Sequence, residues 1–394
     1  MKIRDIIYLD HQSTTPVDPS VLAEMRPYFF ELFGNPHSVE HYLGWESMRA
    51  VEDAARHMAR LIGADVDEII FTSGATESNN LALLGLGKRG YGNRKRHRIL
   101  ISAIEHKCIH AIGRILKEQH DYSIEQIPVD GMGFVDLSAL EDSLDDDVLL
   151  VSVMAVNNEI GTIQGLEKLS ELIRYHGAIF HCDAAQAPLG MDMIRIAGQV
   201  DMLSLSAHKM YGPKGIGIIY ISRDLQSDIE PLIYGGGQQN GLRSGTVPVP
   251  LCVGMGAAAR LMMNDKTEEK RAQLRFLRDA FVDKLNQLAW PIMVNGPDGK
   301  SRHAGNANIR FIGFSAHDIL NILQPHLAAS TGSACSSGIL EPSHVLKAIG
   351  LTNDEADSSI RFSLGLRTTQ EDIDRAVGLI EEALKRISKF RYTI

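Results

Sequence analysis

Short, continuous apolar runs alternate along this chain with stretches in which apolar residues return every three or four positions. The runs at 68–72, 99–101, 148–153, 178–181, 202–205 and 216–221 do not alternate with polar residues. That pattern marks strands buried on both faces. Mostly amphipathic segments separate them, so the pattern predicts an α/β fold whose mainly parallel sheet is covered by helices on both sides. Residues 45–62 place Met48, Val51, Ala54, Ala55, Met58 and Ile62 at helical spacing, and Pro19 opens an earlier helix. Asn35-Pro36 marks an ordered loop. The character changes near Met262, where the charged, strongly helical stretch 264–285 reads as a connector into a second unit. Strands at 308–311 and 359–363 suggest that this unit is α+β. Thr369 with Asp372 signals a helix start, and the helix runs to Ile387.

At 394 residues the chain is long enough for more than one domain. Its hydrophobic content of 44% is ordinary, and its net charge of −9 argues against a nucleic-acid-coating protein. The basic run Arg94–Arg98 is a local exception, readable as a solvated loop or as a docking patch for an acidic partner. No secretory signal and no membrane span are expected. The cysteines, Cys108, Cys182, Cys252 and Cys335, are far apart and form no CxxC pair. A disulfide framework or metal site is therefore not expected, and a reducing cytoplasm is.

Three polar motifs sit where predicted strands end, the usual ligand edge of such sheets. The first is SGATESNN, where Gly74 and Ala75 allow close approach and Thr76 begins a helix whose free N–H groups would attract an anion. Taken alone, the segment reads equally well as an ordinary strand-to-helix turn. The second is HCDAAQ, which leaves Asp183 at the end of a buried strand with Gln186 three residues on. A carboxylate there needs a cationic partner, unless it caps the next helix. The third is SLSAHKMYGPKG, in which a buried strand delivers Ser206, His208 and Lys209 to a glycine-rich turn. A desolvated amine at such a place can act as a nucleophile. An anion seat, a carboxylate and a lysine together are what pyridoxal phosphate requires, with His106 able to stack on its ring.

These segments, with YLDHQSTTPVDP, GNPHSVEH, NNEIGTIQ, GGGQQNGLRSGT, TGSACSSG and SIRFSLG, follow one another in an order that resembles the cysteine desulfurase family (NifS/IscS-like) over essentially the whole chain. That family lies within the class V aminotransferase group of fold-type I pyridoxal-phosphate enzymes. The resemblance implies a large domain, 16–262, with a mainly parallel seven-stranded sheet, and a small α+β domain formed by 1–15 and 263–394. It makes Lys209 the lysine that holds pyridoxal 5'-phosphate, Asp183 the partner of the ring nitrogen and Gln186 that of the phenolic oxygen. His106 would stack on the ring and exchange protons. Gly74, Ala75, Thr76, Ser206 and His208 would hold the phosphate, joined by Thr246 from a second subunit of a homodimer. Asn157 and Arg361 would bind the substrate carboxylate with Asn35 nearby, and Cys335 would carry a persulfide. Cys108 and Cys182 read as small apolar core residues.

The implied reaction takes sulfur from L-cysteine, leaves alanine and passes the sulfur to an acceptor protein, as in iron–sulfur cluster assembly. A selenocysteine lyase, a class V aminotransferase and a non-catalytic assembly partner are the alternatives. Cys335 in GSAC disfavours the aminotransferase, and Lys209, Asp183 and Arg361 disfavour the non-catalytic partner. Only seven residues follow Ile387, fewer than the scaffold-docking tail of the iron–sulfur members, so the acceptor stays open.

Overall fold

The computed structural model describes residues 6–89, 96–264, 266–332 and 342–391. A two-residue strand, β1 (Ile7–Tyr8), precedes β2 (Ile69–Thr72), β3 (Arg98–Ser102), β4 (Ser123–Ile127), β5 (Val148–Ser152), β6 (Ile179–Asp183), β7 (Met202–Ser206) and β8 (Gly217–Ile221). The last seven form one sheet in the order β2-β8-β7-β6-β5-β3-β4. Only β8 runs against its neighbours; the remaining pairs are parallel.

Strands β5 to β8 are buried at every residue: β8 is apolar throughout, while β5 to β7 also bury the polar Ser152, His181, Asp183, Ser204 and Ser206. Successive side chains enter opposite layers: Ile218 and Tyr220 join one core, Ile219 and Ile221 the other. The helices Ala75–Arg89 and Lys107–His120 pack on the sheet through such residues as Leu83, Leu86, Ile109 and Leu116. Strand β4 escapes the apolar pattern because it pairs on one side only and leaves Ser123, Glu125 and Gln126 at least partly open to solvent.

The basic run is tied down where it is described. Arg96 donates to the carbonyls of Val148 and Gly177, each at 2.7 Å, and Arg98 pairs with Glu125 and Asp145. These two cations fasten the start of β3 to β4 and to the start of β5, so at these positions the run is not a free loop. Arg94 and Lys95 lie outside the described residues.

A separate core gathers residues distant in sequence. Here β9 (Ile292–Asn295), β10 (Asn306–Phe311) and β12 (Ser359–Ser363) form an antiparallel sheet, while β11 (Leu327–Ala328) pairs in parallel with β1. Ile7 and Leu9 share this core with Leu277 and Phe281 of the helix Thr267–Asn286 and with Ile380 and Leu384 of the helix Gln370–Arg391. The predicted helix start holds: Thr369 N–H donates to Asp372 at 3.0 Å, and Asp372 N–H donates to Thr369 Oγ1 at 3.2 Å. Among the described residues, no helix is long and apolar enough to cross a membrane.

One close approach sets the geometry of the ligand edge. A Cβ on Gly217 would lie 2.5 Å from the Leu205 carbonyl oxygen and 2.6 Å from Gly74 Cα. No side chain fits where β8, β7 and the Gly74 turn converge. Gly217→Ala is expected to destabilise the fold by about 2–3 kcal/mol, read as a lowered urea midpoint with the slope unchanged.

Candidate active site

The carboxyl ends of β2, β3, β5, β6 and β7 open on one cavity of about 600 Å³. The end of β2 contributes Ser73, Gly74, Ala75 and Thr76. Gly74 has φ +150°, and a Cβ there would point toward Ser206 Oγ at 3.6 Å, so the missing side chain leaves a cradle between the turn and β7. Directly after it the helix Ala75–Arg89 begins, with its positive end at the cavity. Ser206 and His208 stand across from it. His208 is held through Nδ1 to Thr14 Oγ1 at 3.1 Å, and desolvation and the nearby lysines Lys209 and Lys214 pull it down to about 4.

Lys209 lies on the turn after β7. Its Nζ donates to the carbonyls of Gln12 and Ser13, the latter at 2.9 Å. Desolvation, then the charge of Arg361, pull it down to about 8, against the opposing pull of Asp183 and Asp10. About a tenth of such amines is unprotonated at pH 7, far more than of an ordinary lysine, and that is the form that attacks a carbonyl carbon.

Asp183 ends β6 and is 5% exposed. Its hydrogen-bond partners among the described residues are neutral: Asn79 Nδ2 at 2.8 Å and Ala185 N–H at 3.0 Å. Among the described residues no cation is bonded to this carboxylate, which opens on the cavity. Gln186, in the same wall, donates to the Gln12 carbonyl at 2.8 Å. His106 caps the helix Lys107–His120, its side chain accepting from the Cys108 N–H. Desolvation by the surrounding protein holds it below the usual imidazole range, although its cavity edge remains exposed.

Arg361 projects from the middle of β12 and is 3% exposed. It donates to the Asn158 carbonyl at 2.9 Å, Asp10 Oδ1 at 2.8 Å, Ser13 Oγ at 2.6 Å and Ser330 Oγ at 2.8 Å. Its Nε has no partner among the described residues. The arginine is thus ion-paired and also part of the cavity wall.

Several sequence expectations need correction. Asn157 does not reach the cavity. It is fully buried, its Oδ1 accepting from the N–H groups of Glu159 and Ile160 and its Nδ2 donating to the Ile104 carbonyl. Its neighbour Asn158 takes the wall position. Asn35 is exposed outside the wall, its side chain bonded to the His37 N–H. Cys108 is only partly buried, packing against the core and also lining the cavity, whereas Cys182 is fully buried in the core. Thr246, which the resemblance assigns to a second subunit's site, is exposed and outside this chain's own cavity wall, so that expectation is not among those corrected. Its loop is tied to the cavity mouth by Arg243, which pairs with Glu77 at 2.9 Å. Cys335 lies outside the described residues.

Sequence reasoning also missed Gln12, Ser13, Thr14, Asn79 and His344, all of which line the cavity. The QSTT of the opening segment and the asparagine pair Asn79-Asn80 in SGATESNN were the available signals.

Known proteins resemble this chain over nearly its whole length. The sequence pattern of the aminotransferase class-V family matches residues 7–376. The cysteine desulfurase IscS of Rickettsia bellii is 45% identical over 389 residues, covering 98% of this chain and 92% of that protein. The structure of a NifS-like protein superposes with a TM-score of 0.89 at 33% identity, covering 96% of this chain and 99% of the other. A structure of SspA in complex with cysteine gives 0.79 at 33% identity, covering 92% and 99%. The chain belongs to the aminotransferase class-V family, beside its IscS- and NifS-like cysteine desulfurases.

Proposed function

We propose that this protein is a pyridoxal-phosphate-dependent cysteine desulfurase, which converts L-cysteine to L-alanine and hands the sulfur to an acceptor protein. The observation that carries the reading is the convergence on one cavity of a buried amine, an unpaired carboxylate and a helix-terminal anion cradle. The names of the relatives and the cysteine complex of SspA support the substrate.

The residues present fit the cofactor. Gly74, Ala75 and Thr76, with Ser206 and His208, offer a seat for its phosphate; Asp183 offers the negative charge that a protonated ring nitrogen needs. Pyridoxal phosphate, when bound, supplies an aldehyde that captures amines and a ring that acidifies the α-proton of a captured amino acid.

The protein's own groups do the rest. Arg361 holds the substrate carboxylate, its fork already set by Asp10, Ser13 and Ser330. Lys209, as free amine, takes the α-proton. His106, as neutral imidazole, exchanges protons along the substrate. The thiolate of Cys335 forms an S–S bond with the substrate sulfur as the Cβ–S bond breaks. The electron pair of that bond and one proton remain on the carbon fragment, which leaves as alanine.

We divide the chain into a large domain, 16–262, and a small one formed by 1–15 with 263–394. We also assign it a homodimer in which Thr246 enters the partner's site. Phe29, Phe30, Phe33, Tyr42 and Trp45 are exposed apolar side chains clustered in one stretch of sequence, more than an isolated chain leaves open without use. The described cysteines are unpaired, which suits a reducing cytoplasm.

Purified protein given L-cysteine and a thiol reductant is expected to release alanine and sulfide in equal amounts. Transfer of the amino group to a keto acid without sulfide would contradict the reading.

A further inference from the structure

One chain of polar contacts in the cavity wall joins Asp183 to His106 through Asn79 and Cys108, two residues with no role in the reaction outlined above. Asn79 Nδ2 donates to Asp183 Oδ2 at 2.8 Å and to Cys108 Sγ at 3.3 Å. Cys108 Sγ lies 3.0 Å from His106 Nδ1. The direction of each bond follows from chemistry. The Asn79 amide must present its NH2 end, because its oxygen would face the Asp183 carboxylate; that oxygen has no partner among the described residues. A thiol that receives the amide hydrogen has its own hydrogen left for the imidazole. His106 Nδ1 also receives the Cys108 backbone N–H at 3.2 Å, so it presents a lone pair.

We propose that Cys108, oriented by Asn79, is a positioning residue for His106: its S–H donates to Nδ1 and keeps the imidazole neutral with its proton on Nε2. The proposal rests on the reading of His106 as the proton-exchanging group of the site. It explains why a thiol beside the substrate pocket does not compete with the sulfur-carrying cysteine. Burial, with the charge of Asp183, pushes the Cys108 thiol up to about 12, so it stays protonated and is a donor rather than a nucleophile. The other ionisable groups around His106 pull in both directions. Asp183 and Glu159 favour its protonation, while Lys209 and His344 oppose it. Desolvation, the largest influence, also opposes protonation, so the thiol acts on a ring already held toward its neutral form.

The test reads the imidazole itself. In full-length protein with its cofactor bound and its histidines labelled with 15N, His106 is expected to show the Nε2–H tautomer and a titration midpoint below that of a free histidine. Cys108→Ala removes one donor to Nδ1, so protonation there becomes easier and the midpoint rises by about half a unit to one unit. Cys108→Ser keeps a donor and holds the wild-type midpoint. Cys108→Val, of similar shape and unable to donate, repeats the alanine result if the alanine variant does not fold. The acid limb of kcat/KM should move up with the same variants. An Nδ1–H tautomer in the wild type, an unchanged midpoint without the thiol, or a serine variant titrating like alanine would each overturn the proposal. None of these outcomes bears on whether alanine and sulfide are formed, so failure here is distinct from failure of the desulfurase reading.

Discussion

Replacing Lys209 by alanine is expected to lower desulfuration by about 10³-fold or more, the scale of losing a group that acts directly on the reacting atoms. The same change should remove the absorbance band of lysine-linked cofactor while leaving the fold in place. The lysine's two acceptors, the Gln12 and Ser13 carbonyls, lose about 1 kcal/mol of hydrogen bonding each. Against that loss, an amine that desolvation has already pulled down to about 8 is no longer held in the wall. Only the neutral amine attacks an aldehyde, so cofactor uptake by the wild type should quicken as pH rises through about 8 and then level off. Absorbance of reconstituted protein against pH measures this. A variant that keeps the band and the rate would remove Lys209 from the chemistry.

Arg361→Lys is expected to raise KM for L-cysteine about 10- to 100-fold with a smaller change in kcat. Lysine keeps the charge but loses the planar fork, and hydrogen bonds to a charged group contribute about 1.5–3 kcal/mol. The native guanidinium is fixed on four sides by Asn158, Asp10, Ser13 and Ser330, so little ordering remains to be done when a carboxylate arrives. Alanine should behave differently. It would leave Asp10 without its cation and cost on the order of 3 kcal/mol of stability. Steady-state kinetics with urea unfolding separate the two effects. A fall in kcat with KM unchanged for the lysine variant would place the arginine outside substrate binding.

The strands that build the site were legible because burial on both faces leaves few polar positions to blur the run, as in β5 and β8. Strand β4 was not, because an edge strand half open to solvent reads as a polar loop. The helix Val249–Met262 was missed for the opposite reason. It is buried nearly all round, and its Gly256 lets it lie against Ala54, so no amphipathic stripe announces it. Strand-end motifs delivered Gly74, Thr76, Asp183, Ser206, His208 and Lys209 to one cavity, since parallel strands present their carboxyl ends together. The choice between Asn157 and Asn158 could not be read. Both sit in one turn, and only the bonds from Glu159 and Ile160 N–H show which side chain is spent on the backbone. The opening segment was also opaque, because Thr14 meets His208 across 194 residues and no local pattern records that contact.

The most direct test of the account is a single turnover with L-cysteine and no reductant, followed by quantitation of alanine and mass spectrometry of the intact protein and its peptides. One alanine per active site, one added sulfur atom on the peptide containing Cys335, and no added sulfur on Cys335→Ser is the expected result. Alanine formed with the sulfur on another residue, or bound sulfur undiminished in the serine variant, would contradict it.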